Sequence, residues 1–332
     1  MKKHRVTLQD IANLANVTKM TVSRYLRTPN QVSPETGKRI AQVMEEFDYI
    51  PNRAPEMLLN TKSYTIGVLI PSFKNQVFAD MLAGIESVTS GKQYQILIAN
   101  YNYKKDSEEK QILNLLSYNI DGIILSEKSH TLRAIKNLRH AKIPIVEVMD
   151  TEGPSLDMEV GYANSRAAFD MVSTMLENSN KKTIVYLGSQ DDLRDELRYQ
   201  GYCEAMRKHG LPIYHINPQS ISSMQLGAQL LSRALTEYPD LDGIFCTNDD
   251  IAVGALLYCM RKGINVPKDI SIAGFHGLEI GREMIPSLAS VITPRFAIGQ
   301  RAATILLNKI NDNEYSTYSA DLGYQIYRGD TL

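Results

Sequence analysis

Cysteine is scarce in this chain. There are three in 332 residues, Cys203, Cys246 and Cys259. An odd, sparse set without metal-ligand spacing argues for a reduced, cytosolic protein. Long apolar runs are missing too. No window approaches the ~18 uninterrupted apolar residues of a membrane span. The opening MKKHRVTLQD has no apolar core of a secretory signal, so export is not expected. The six histidines show neither HxxxH nor HExxH spacing. Gly274-Phe275-His276-Gly277 lacks the GxxxxGK pattern of a phosphate loop, and no Ser/His/Asp set follows a nucleophile elbow. No enzyme, metal or cofactor is therefore expected. There is no tandem repeat and no low-complexity tract.

What is present divides the chain. The formal net charge of −1 hides an asymmetry: residues 1–62 hold ten Lys/Arg and six Asp/Glu, and the remainder is acidic by five. A basic head on an acidic body suits an N-terminal segment that meets phosphates. The length allows two or three domains, each with its own core.

The head is organised around VTLQDIANLANVTKMTVSRYLR, Val6 to Arg27. Leu8, Ile11, Ala12 and Ala15 recur at helical spacing. Asn16 tolerates a left-handed backbone and suits a tight turn. Thr18 can cap a second helix, in which Val22 and Leu26 face inward. Lys19, Met20, Thr21, Ser23 and Arg24 are left outside near its start, as in a helix-turn-helix that enters a major groove. The plainer account, a solvated helix pair, loses ground because the pair sits at the N-terminus, has a turn-compatible residue in the right place and is followed by a second nucleic-acid-like segment. A third helix is expected from Pro34 to Phe47, capped by Ser33, with Ile40, Val43, Met44 and Phe47 as its core stripe. Three helices in fewer than 50 residues make a small all-α headpiece.

Residues 51–62 read either as a linker or as a short hinge helix. Asn52 could cap a helix starting at Arg53, with Pro55 in its first turn, where a missing N–H costs little. Two turns are marginal alone in water, so such a helix would form only with support. Leu58 and Leu59 could rest on the next domain, or Leu58 could wedge between base steps in a minor groove.

From Tyr64 the pattern alternates strand and helix. Strands are expected at Tyr64–Ile70, Tyr94–Ala99, Gly122–Leu125 and Ile143–Met149. The rhythm restarts near Asn164, with strands at Thr183–Leu187, Tyr214–Ile216, Gly243–Cys246 and Ile270–Ala273. Two runs of βα units predict two doubly wound parallel-sheet lobes. A strand at Ala289–Ile292, a helix at Phe296–Ile310 and a strand at Leu322–Tyr327 close the chain. The late helix can cross back, giving discontinuous lobes: 63–163 with 293–321, and 164–292 with 322–332. Asp191-Asp192 and Asp249-Asp250 fall at helix starts, where capping accounts for most of them.

The motifs VTLQDIANLANVTKMTVSRYLR, VSPETGKRI, YIPNRAPEMLL, IGVLIPS, TNDDIAVGAL and SIAGFHG agree in residues, order and spacing. In these the chain resembles the LacI family of bacterial repressors from about Thr7 to Leu322. NQVFADMLAGIESVT, LDMEVGY, FHGLEIG and LASVITPR resemble its gluconate and L-idonate regulator branch. The resemblance implies a homodimer on a palindromic operator in double-stranded DNA, with a periplasmic-binding-protein-like core whose cleft takes a small effector. It places Thr7, Thr18, Lys19, Met20, Thr21, Ser23 and Arg24 at DNA-contacting positions, with Asn52 and Arg53 in the hinge and Leu58 as the wedge. It places Ser72, Phe73, Asn75, Arg198, Asn248, His276 and Arg295 at the effector. No heptad tail follows the last strand, so a dimer rather than a tetramer is expected.

Where many sugar-binding members carry an acid after the Gly-aromatic pair, this chain has His276. A histidine can donate and, if protonated, attracts an anion. With Arg198 and Arg295 beside it, the cleft would favour a carboxylate-bearing sugar acid. The plainer alternative pairs both arginines with local acids. The competing function is a solute-binding protein of a sugar-acid transport system, which the core alone would allow and the basic head opposes.

Overall fold

The computed structural model describes residues 6–51, 62–177, 182–190, 192–312 and 318–332. The chain divides into two compact units, Met1–Thr61 and Lys62–Leu332. The expected hinge helix, with Asn52, Arg53 and Leu58, lies outside the described residues, as does Asp191.

In the first unit, helices α1 (Leu8–Leu14), α2 (Lys19–Arg27) and α3 (Pro34–Glu46) surround a small core. Thr7 opens α1 with a capping box: its hydroxyl accepts the Asp10 N–H at 3.3 Å and its own N–H donates to Asp10 Oδ2 at 2.8 Å. Asn16 takes the left-handed turn at φ 48°, and the next N–H, of Val17, returns to the Ala12 carbonyl at 2.9 Å. Thr18 caps α2 by accepting the Thr21 N–H at 3.2 Å. Ile11, Ala12, Ala15, Val22 and Ile40 are completely buried. Phe47 departs from expectation. It is the C-cap of α3 rather than a core residue, and it is 40% exposed. Asp48 then turns left-handed at φ 46°, and Tyr49 packs on the core instead.

The second unit contains two six-stranded sheets. The first is built from β1 (Thr65–Ile70), β2 (Gln95–Asn100), β3 (Gly122–Leu125), β4 (Ile145–Val148), β5 (Met158–Gly161) and β11 (Tyr318–Asp321). Its order is β11-β5-β4-β3-β1-β2, parallel throughout. The second is built from β6 (Ile184–Leu187), β7 (Tyr214–Ile216), β8 (Gly243–Cys246), β9 (Ser271–His276), β10 (Ala289–Ile292) and β12 (Gln325–Tyr327). Its order is β12-β10-β9-β8-β6-β7, and only β12 is antiparallel. Central strands such as Gly122–Leu125 and Ile145–Val148 are buried along their whole length, because helices cover both faces of a parallel sheet.

The helix α12 (Arg295–Asp312) returns to the first sheet and packs along α4 (Gln76–Thr89). Gly84 and Gly299 make that approach possible: a Cβ on Gly84 would fall on the Phe296 carbonyl, and one on Gly299 on the Met81 carbonyl. Two strands were not expected. β5 contains Glu159, whose charge hides a buried strand until its partner Lys128 is seen at 2.6 Å. β11 is a short edge strand with alternating exposure. The last expected strand is shorter than Leu322–Tyr327: Leu322 bonds back to Gly161 in the first sheet, Gly323 turns at φ 66°, and only Gln325–Tyr327 joins the second.

Candidate functional site

On the first unit, the start of α2 offers Lys19, Met20 and Arg24 to solvent, with Met20 65% exposed. Thr21 and Ser23 are half-buried, and Val22 between them is fixed in the core. Thr7 and Thr18 are exposed although their hydroxyls also cap helices. A Met and two cations on a helix locked from behind can reach base edges and phosphates in a groove.

On the second unit, side chains at the carboxyl ends of both sheets converge on one cleft. This is where the strand order of a doubly wound sheet leaves a crevice. Asn75 and Tyr103 come from loops after β1 and β2. Gln190, Asp192, Arg194 and Arg198 come from the loop after β6 and helix α8 (Leu193–Lys208). Thr247 and Asn248 follow β8, and His276 ends β9. The space left among them is about 30 Å³. That is little more than room for ordered water, so a larger guest needs the surrounding side chains or the two sheets to rearrange.

Arg198 is 4% exposed, with its Cζ 4.0 Å from the centre of the Phe275 ring. Nε donates to Asn164 Oδ1 at 3.0 Å and Nη1 to the Thr247 carbonyl at 2.7 Å. Nη2 reaches the Tyr162 hydroxyl only at 3.5 Å. These partners are all neutral. Asn248 accepts the Ile251 N–H at 3.1 Å, capping α10 (Asp249–Lys262), and the Ser222 hydroxyl at 2.8 Å. Asp249 serves the fold rather than the cleft. Its oxygens accept the Leu278 N–H at 2.5 Å and the Ser290 hydroxyl at 2.7 Å, and burial pushes its pKa up to about 7.

Four of the seven expected effector residues line this cleft: Asn75, Arg198, Asn248 and His276. Three are placed outside its lining. Ser72 accepts the Lys74 N–H at 3.0 Å, and Phe73 is 64% exposed. Arg295 pairs with Asp80 at 2.8 Å and donates to the His276 carbonyl, which is the local-acid alternative. The charge allowed to His276 is also corrected. Burial, with Arg198, Arg295 and Arg194 nearby, holds its pKa well below the ordinary value, so the ring is neutral. Its Nδ1 lies 3.3 Å from the Thr293 hydroxyl.

Tyr103, Gln190, Asp192, Arg194, Asp195 and Thr247 were not anticipated. The signal for two of them was legible: Asp192 and Arg194 open a helix directly after a strand, at the end of the sheet where crevices form.

A helix-turn-helix unit and a core with a cleft between two doubly wound sheets define the class of ligand-responsive DNA-binding regulators. Residues 7–52 match bacterial regulatory proteins of the lacI family, and residues 63–325 match the periplasmic binding proteins and sugar binding domain of that family. The chain belongs to the LacI family. It is 66% identical to the HTH-type transcriptional regulator IdnR of Escherichia coli (strain K12), over all of both chains. It is 47% identical to GntR of the same strain, again over all of both. The solved structure of a LacI-family transcriptional regulator from Silicibacter pomeroyi is similar at TM-score 0.90 and 32% identity, covering 98% of this chain and 99% of its own. Among the described residues no helix is long and apolar enough to cross a membrane.

Proposed function

We propose that this regulator works in the cytoplasm as a homodimer on a palindromic operator, and that a sugar acid of the gluconate or L-idonate class, bound in the cleft, changes its DNA affinity. The cleft carries no catalytic role in this reading. The observation that carries the effector class is Arg198: a buried guanidinium at the cleft whose hydrogen-bond partners are all neutral. A carboxylate would give it a directly bonded anion and accept two parallel N–H bonds. Asn248 and the neutral His276 suit hydroxyls. Kinship to IdnR and GntR agrees with this, and the matched headpiece favours a regulator over a transport protein.

Lys19, Met20 and Arg24 would read base edges, while Thr7, Thr18, Thr21 and Ser23 hold the helix on the duplex. Asn52, Arg53 and Leu58 keep their assignment to a hinge that orders on bent DNA. The two lobes would comprise 63–163 with 293–321 and 164–292 with 322–332. An effector that moves these lobes changes the spacing of two hinges in a dimer, so effector and operator alter each other's affinity by the same factor. The test is calorimetry of the pure protein with sugar acids and matching neutral sugars, followed by operator titrations with and without the ligand found. Binding of an acid that also shifts operator affinity supports the reading. Binding of neutral sugars alone overturns the effector class.

A further inference from the structure

Two guanidinium groups line the cleft, and their surroundings differ. Arg194 is matched by Asp192: Nε donates to Oδ1 at 2.9 Å and Nη2 to Oδ2 at 2.6 Å, with both side chains less than a tenth exposed. Asp192 also accepts the Arg194 backbone N–H at 2.9 Å and so caps α8. Arg198, one helical turn further on, has no carboxylate within salt-bridge distance among the described residues. A guanidinium carries five N–H donors, and three of those on Arg198 are placed, so two remain for a guest.

We propose that the cleft admits a sugar acid with one carboxylate and no second strong negative charge, and that the Arg194–Asp192 pair enforces this. The proposal rests on the reading of the cleft as a sugar-acid site. Arg198 takes the carboxylate. The pair faces the polyol, where Asp192 can accept from hydroxyls and the spare N–H groups of Arg194 can donate to them. A phosphate or a second carboxylate placed there meets the Asp192 carboxylate and no uncompensated cation. His276 is neutral and offers no further positive charge. A phosphomonoester brings close to two extra charges at neutral pH, so its exclusion should be the strongest.

The test is calorimetry of the full chain with gluconate, L-idonate, gluconate 6-phosphate, glucarate and glucose. One of the two monoacids should bind, with the phosphorylated and dicarboxylic acids at least about 30-fold weaker. Asp192→Asn keeps a capping side chain but frees Arg194, and should narrow that ratio about tenfold. Arg194→Gln frees Asp192 and should widen it. A general loss of structure cannot move the ratio in opposite directions in the two variants. Equal or tighter binding of gluconate 6-phosphate or glucarate by the unaltered protein overturns the single-charge proposal while leaving an anion site in place. An unchanged ratio in both variants overturns the role of the pair. Binding of glucose with no acid bound overturns the underlying sugar-acid reading instead.

Discussion

The core buries positive charge in two ways. In the first sheet's lobe, His130 lies between Glu108 and Glu147, with Nδ1 at 2.7 Å and Nε2 at 3.2 Å from their carboxylates and its side chain 1% exposed. Lys128, beside it in the same loop, reaches Glu159 at 2.6 Å and the Glu152 carbonyl at 3.0 Å. At the cleft, Arg198 is just as deeply buried but touches only neutral oxygens and a ring. Burying an ion costs several kcal/mol, and a matched carboxylate is what usually offsets it. Where the match lies inside the protein, the charge joins elements of the fold. Where it is left out, the cation lacks a directly bonded anion, which is what the proposed effector role of Arg198 requires.

The largest effect should come from breaking the matched group. His130→Leu leaves Glu108 and Glu147 buried without a counter-charge, and one Glu108 oxygen already has no partner. A loss of about 3–5 kcal/mol is expected, read from urea unfolding by circular dichroism because the chain has no tryptophan. Effector affinity of the folded variant should be unchanged. A variant as stable as the parent would mean that the triad does not support the fold.

Next comes the unmatched cation. Arg198→Ala should weaken the acid effector by about 2–4 kcal/mol, roughly 30- to 1000-fold, while changing stability much less than the His130 variant. Arg198→Lys should not restore binding, since an ammonium cannot reproduce the planar fork. Full affinity in the alanine variant would erase the distinction between the two kinds of buried charge.

The matched group should also show itself in pH. Burial alone would lower the pKa of His130, but hydrogen bonds and charge from Glu108 and Glu147 outweigh it and raise the value to about 9. The folded state therefore holds this proton more tightly than the unfolded state. The stabilisation is fully present below the ordinary histidine value of about 6.5 and is lost as pH rises through about 9, amounting to about 3 kcal/mol. The stability gap between the parent and His130→Leu should be widest near pH 6 and narrow above pH 9. A gap that widens with rising pH would contradict the assignment.

The contrast between these regions also explains what could be read from residue order alone. The headpiece is local: Thr7, Asn16, Thr18 and Ser33 each make their caps or turns within a few residues, so capping rules place its helices. The βα rhythm likewise announced both doubly wound sheets. The cleft is not local. Asn75 and His276 meet only through two sheets, and the resemblance rather than the spacing brought them together. Glu159 hid a strand because its partner lies 31 positions earlier. The neutrality of His276 could not be read in advance, because it depends first on burial and then on three arginines that are neighbours only in the fold.

Arg295 stands between the two cases and gives the smallest expected effect. Its guanidinium clips the His276 carbonyl to Asp80 on α4, but the Asp80 side chain is 53% exposed. A pair open to solvent on one side stabilises by about 0–1 kcal/mol, so Asp80→Asn should cost no more than that. The same variant separates the two roles of Arg295. If the arginine only joins the end of β9 to α4, removing the Asp80 charge leaves acid binding within about twofold, because the His276 carbonyl still holds the side chain. If Arg295 instead reaches the effector, Asp80 competes with the guest for it, and Asp80→Asn tightens acid binding. Its position outside the cleft lining leads us to expect the first result. The second would make Arg295 another cation available to a guest and move it to the unmatched side of the comparison.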